Sequence, residues 1–222
     1  TRIVIDWAKR QRDKSIETGH PPIHDDEQPP PPPDIDLQAK WNDTRMADVT
    51  VPTGTSERLS LIAWAVERVA DEVPQCPRPE AELEDEGLTV RLPACEGSAE
   101  DCLYVALCEK AAQGGGLIRE VEALRRTAGA RRPVALRSTE FPKSPKTKVA
   151  QQLGEMLAQG GRRVSVGDSD WRTMVAMRGF AETHGNDPSF ADWVQSEKPL
   201  SGLPALRHLL DLDNRPARPP VP

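Results

Sequence analysis

Aromatic residues make up only 4% of these 222 residues, with one tyrosine and three phenylalanines beside five tryptophans. Apart from Phe141 they do not interleave with the basic residues, which argues against a platform for stacking single-stranded bases. Cysteine is scarce as well, and Cys76, Cys95, Cys102 and Cys108 form no CxxC pair. Zinc sites use closely spaced ligand pairs that converge on one tetrahedral ion. The four cysteines are therefore expected to be buried, inert thiols suited to a reducing cytoplasm. No run of about 18 apolar residues is present, so a membrane span is not expected. The charged, apolar and small-residue order of a secretory signal is missing from the N-terminus. Neither GxGxxG nor GxxxxGK[ST] occurs, so ATP hydrolysis by a phosphate loop is not expected. The chain opens on Thr rather than Met, which suggests a segment of a longer or processed protein.

Proline, by contrast, is abundant at 22 residues, and Pro29 to Pro33 are consecutive. Such a run joins neither a helix nor a sheet ladder and favours an extended polyproline conformation. Residues 18–36 are read as a proline-rich strap. His20 and His24 lie in it beside Asp25, Asp26 and Glu27, more in keeping with a solvated turn than with a metal site.

The net charge of −6 hides an uneven spread. Residues 1–118 hold 12 Lys/Arg and 23 Asp/Glu, a net of −11. Residues 119–163 hold 11 and 4, a net of +7, and residues 164–222 return to −2. A basic belt inside an acidic chain suits a nucleic-acid or phosphate partner. It equally suits an acidic N-terminal part packed against the belt.

Hydrophobic periodicity divides the chain. Residues 1–17 open with alternating Ile3, Ile5 and Trp7. Residues 37–51 form a short helix candidate anchored by Trp41 and Met46. In 55–73, Leu59, Ile62, Ala63, Val66, Val69 and Ala70 recur at helical spacing behind Ser56 as N-cap. Pro74, Pro77 and Pro79 stop that helix, and EAELEDEG reads as an acidic loop. Thereafter 88–93, 101–108, 133–138 and 162–168 read as strands. Residues 116–128, 147–161, 169–185, 189–198 and 203–213 read as helices. The β-α-β-α-β order over 101–167 predicts an α/β fold with a small parallel sheet flanked by helices. The expected organisation is a helical, proline-rich extension over 1–87, an α/β domain over 88–213, and a tail over 214–222.

In an open parallel sheet, ligands bind beyond the carboxyl ends of the strands. Glu109, Lys110 and Gly114 to Gly116 follow the first inner strand. Arg137, Ser138, Thr139 and Glu140 follow the second, ahead of FPKSPKTK. Asp168, Ser169, Asp170 and Arg172 follow the third. Lys143, Lys146 and Lys148 on a stiff, proline-flanked loop suit phosphate contacts, and Arg137 and Arg172 are placed to join them. Arg131, Arg132, Arg162 and Arg163 precede strands and are expected at the opposite edge. Asp168 and Asp170 on one strand-to-helix turn suit Mg²⁺, which prefers hard oxygen ligands. They also suit the start of a helix, with Asp168 or Ser169 as cap.

LYVALCEK together with RVSVGDSDWR resembles the Toprim family of topoisomerases, primases and nucleases over about 70 residues. The resemblance implies metal-assisted phosphodiester chemistry, with Glu109 as acid/base and Asp168 and Asp170 as Mg²⁺ ligands. Trp171 and Met174 follow the aspartates here, where that family often has glycine. GGGL, RPVALRSTEFP and GGRRVSV resemble accessory regions of large bacterial DNA-associated P-loop ATPases. That likeness implies a non-catalytic interaction module of a larger bacterial protein, acting on or near nucleic acid. A third reading is a protein-binding scaffold. The expected setting is cytoplasmic, away from membranes, with other domains or subunits as partners. No cofactor is expected unless the enzyme alternative, with Mg²⁺, holds.

Overall fold

Alternation of apolar side chains in three short strands builds the centre of the molecule. The computed structural model describes residues 36–73, 77–94 and 100–214. Residues 1–17, His20, His24, the strap up to residue 35, Cys76, Cys95 and the tail from 215 lie outside the described residues. Two helices, α1 (Leu37–Met46) and α2 (Thr55–Glu72), come first. Strands β1 (Glu80–Glu84), β2 (Gly87–Leu92) and β3 (Asp101–Leu107) follow. A short 3₁₀ turn (Gln113–Gly115) leads into α3 (Gly116–Ala128), β4 (Arg132–Arg137), α4 (Lys148–Ala158) and β5 (Arg162–Ser165). Helices α5 (Asp168–His184), α6 (Phe190–Glu197) and α7 (Pro204–Leu210) complete the described chain.

Among the described residues, five strands lie in sequence order, β1-β2-β3-β4-β5. The fold is α/β, but the sheet is mixed rather than wholly parallel. β3, β4 and β5 are parallel, whereas β1, β2 and β3 are antiparallel neighbours. The missed strand is β1, in the stretch that reads as an acidic loop. Its glutamates are poor strand formers, and only pairing with β2 across the tight turn at Asp85 and Glu86 makes it a strand. Charges on an exposed edge strand also discourage pairing with other chains. The hairpin joins residues on both sides of the expected boundary at 87/88.

Period-two alternation sends strand side chains to two faces. Leu88, Val90, Leu103, Val105, Val134, Leu136 and Val164 share one core with α1, α2, α5, α6 and α7. Tyr104 and Ala135 share the other with Leu117, Val121 and Leu124 of α3 and Val149, Leu153 and Met156 of α4. The sheet is thus a middle layer. The crossovers between parallel strands place the N-termini of α3 and α4 at the carboxyl ends of β3 and β4.

Caps define several helix starts. Asp36 Oδ1 accepts from Ala39 N at 2.9 Å, and Thr147 Oγ1 accepts from Ala150 N at 3.1 Å. α2 differs from expectation. Its N-cap is Gly54, with no side-chain cap bond, and Ser56 lies inside the first turn. Two buried carboxylates hold α7 and the segment before it. Glu72, at the end of α2, is 1% exposed and accepts from Leu200 N (2.8 Å) and Ser201 N (2.5 Å). Asp170 receives the Ala205 amide. Burial pushes both carboxyls above their ordinary range, against the pull of these backbone bonds.

Candidate functional site

The carboxyl ends of the parallel strands bring Glu109, Arg137, Ser138 and Asp168 to one edge of the sheet. The ladder continues one step past the strands. Cys108 N donates to Leu136 O at 2.7 Å, and Val166 N donates to Arg137 O at 2.8 Å. The residues that follow leave the sheet in register.

Glu109 belongs to a closed polar network. Its Oε1 accepts from Ser138 N (3.0 Å) and Ser138 Oγ (2.6 Å), and pairs with Arg58 Nη1 (3.3 Å). Ser138 Oγ in turn accepts from Arg58 Nη1 (3.0 Å) and Trp171 Nε1 (3.1 Å). The Arg58 guanidinium stands 5.3 Å from the Trp171 ring centroid. A serine hydroxyl offers one donor and two acceptor sites, and all three are engaged here. Ser138 is therefore a structural node joining α2, α5 and two strand ends, with no lone pair left to attack a substrate. Sequence reasoning missed Arg58. It lies 51 residues before Glu109, on a helix whose pattern advertises only its apolar stripe.

The two aspartates of the β5–α5 turn have separate partners. The helix N-cap is Gly167, not Asp168 or Ser169. Asp170, 7% exposed, reaches back from the third helical position and accepts from Gly167 N at 3.3 Å. Asp168 is exposed and accepts from Arg172 Nε at 2.7 Å. Arg172 Nη1 also donates to Asp48 (3.0 Å) and Val49 O (3.4 Å), which ties α5 to the segment after α1. Among the described residues, no group of three or more His, Cys, Asp or Glu is placed to hold a metal ion.

The basic belt divides between two edges. At the amino edge, Arg131 pairs with Glu84, Arg132 with Asp101 (3.1 Å), and Arg162 with Asp101 and Asp211. Arg163 is exposed there. Arg125 is used between α3 and α4, bonding Gln152, Glu155 and Gln159. At the carboxyl edge, Lys143, Lys146 and Lys148 are all exposed. Lys143 meets Glu140 at 2.7 Å, a surface pair of small energetic weight. Lys146 and Lys148 have no ion partner among the described residues.

Arg137 is different in kind, being 8% exposed. The alternation of β4 puts it on the α3/α4 face. Its Nη1 donates to Cys108 O (2.6 Å) and Lys110 O (2.9 Å). Two further cations on this edge, Lys110 and Arg119, are exposed and were not singled out as binding residues from sequence. The buried thiol of Cys108 is pushed up to about 12 by desolvation, so it stays protonated and inert. Cys102 is a free thiol of intermediate burial.

No protein-family model matches this chain, nor does any curated protein or solved structure.

Proposed function

We propose that this chain is a non-catalytic interaction module of a larger bacterial protein, and that it contacts nucleic acid through phosphates at the carboxyl edge of its sheet. One observation carries the reading. Three strand-preceding arginines of the amino edge have carboxylate partners, while Lys146 and Lys148 at the carboxyl edge have none among the described residues. Unpaired lysines at the surface are the groups that exchange small counterions for phosphates. The N-termini of α3 and α4 lie at the same edge and add partial positive charge. The contacts expected are with the backbone rather than with bases, because among the described residues no aromatic residue of this edge stands free to stack. Trp171 and Phe141 are both buried.

Anisotropy of a labelled DNA duplex, titrated across a salt series with and without Mg²⁺, tests this. Binding is expected to weaken steeply with salt and to leave the DNA intact on a gel. The double change Lys146→Gln, Lys148→Gln should lower the magnitude of the log–log salt slope by about 0.9 for each phosphate contact removed. Absence of binding at low salt overturns the reading. It would favour the protein scaffold, to which the Arg172–Asp48 pair lends support. Cleavage dependent on Mg²⁺ would return attention to Glu109, Asp168 and Asp170.

A further inference from the structure

The guanidinium of Arg137 is poorly compensated for a group so enclosed. Among the described residues, no carboxylate lies within ion-pair distance of it. Nη1 is spent on two carbonyl oxygens. Nε is enclosed and has no hydrogen-bond partner. Nη2 has no partner among the described residues, and it is not among the enclosed orphan atoms. An arginine cannot shed its proton to escape this cost. Buried charge is normally paired, and with Nε sealed off the open Nη2 is the donor at which an external acceptor can meet this charge.

The surroundings point to the same acceptor. Arg137 grips Lys110 O, and the Lys110–Ala111 segment is folded onto the first turn of α3. Leu117 N donates to Ala111 O at 3.2 Å. A Cβ on Gly116 would stand 3.0 Å from Lys110 Cβ and 3.6 Å from Lys110 Cδ, so the lysine stem crosses that glycine. Arg119 Nη1 lies 4.0 Å from where a Cβ on Gly115 would stand. Gly115 is the N-cap of α3, and no side chain caps the helix. Two exposed cations without ion partners among the described residues are therefore drawn over a helix N-terminus, where the dipole disfavours positive charge. The acid on this side, Glu120, is turned to the Lys110 amide at 2.9 Å.

We propose that Arg137, Lys110, Arg119 and the uncapped N-terminus of α3 form a discrete seat for one phosphate group. The seat rests on the nucleic-acid reading only for the source of that phosphate. A nucleic-acid strand and a free phosphate or mononucleotide share the chemistry. Guanidinium and helix N–H donors both match phosphate oxygens.

The test is a ³¹P chemical-shift titration of the intact chain with inorganic phosphate at constant ionic strength. It is paired with anisotropy of a labelled single-stranded oligonucleotide carrying either a 5′-phosphate or a 5′-hydroxyl. Saturable phosphate binding is expected. Arg137→Met should weaken it by about tenfold or more, the worth of one charge-assisted hydrogen bond. Arg119→Gln and Lys110→Gln should each weaken it without touching the core, so the test survives a misfolded Arg137 variant. Arg163→Gln, exposed at the opposite edge, should leave it unchanged. A shift that grows without saturation, or saturable binding that is indifferent to Arg137→Met and Arg119→Gln, overturns the seat. Phosphate binding without oligonucleotide binding upholds the seat and overturns the nucleic-acid reading. Oligonucleotide binding without phosphate saturation does the reverse.

Discussion

Ser138 illustrates how much a single hydroxyl can hold at this edge. It donates to Glu109 and accepts from Arg58 and Trp171, which come from two helices on one face of the sheet. Ser138→Ala leaves the Trp171 indole N–H and one Arg58 contact without an acceptor. The expected cost is about 1–3 kcal/mol, the usual penalty for stranding partly buried polar groups. Urea denaturation would check it, and a change below about 0.5 kcal/mol, typical of an ordinary surface substitution, would contradict the network's structural role. Sequence placed Glu109 and Ser138 at strand ends, because strand ends follow from local alternation. It had no means of finding Arg58, whose relevance depends on a helix folding back across the sheet.

At the level of elements, α1 shows what local pattern leaves out. The helix buries only Leu37 and Trp41, so nothing in its periodicity alone would hold it in place. Trp41 supplies the anchor, with ring centroids 5.5 Å from Phe180 and 5.8 Å from Trp193. Gln38 adds a bond from Trp193 Nε1 at 2.9 Å. Trp41→Ala should therefore cost about 3–5 kcal/mol, as large-to-small changes in aromatic cores do. Thermal unfolding followed by near-ultraviolet circular dichroism would register both the lost stability and the altered tryptophan cluster. Met46, read from sequence as a second anchor, is instead 82% exposed. It occupies the last helical position. The acidic strand β1 errs in the other direction. Its composition reads as loop, and only the hairpin partner makes it a strand.

The two buried carboxylates each add a pH dependence to the stability of the whole molecule. Glu72 and Asp170 both have folded-state affinities for protons raised by burial. A carboxyl of this kind contributes most below its unfolded pKa, and that contribution is lost as pH rises through the higher folded value. Glu72→Gln removes the titration. The stability of the Glu72→Gln variant relative to the parent should therefore improve as pH rises from about 4 towards 8, whatever constant offset the lost backbone bond introduces. Urea midpoints at several pH values would reveal the trend. A difference that is flat, or that moves the other way, would mean that the carboxylate is better solvated than its burial implies.

Periodicity and turn chemistry are local, so residue order alone sufficed for the β3-to-β5 alternation, the helices that follow and the edge where polar groups gather. It sufficed equally for the existence of a basic belt, since charge is a count. Which of those charges remain open depends on long-range packing. Arg131 meets Glu84 and Arg172 meets Asp48 across long stretches of chain, and Asp170 turns inward to accept from the N-cap amide of Gly167. Arg137, which sequence sets beside the lysines of the carboxyl edge, is buried because β4 alternation points it between α3 and the sheet. The reason is physical. A side chain's type is set where it stands in the chain, but its partners are set by contacts that only folding creates.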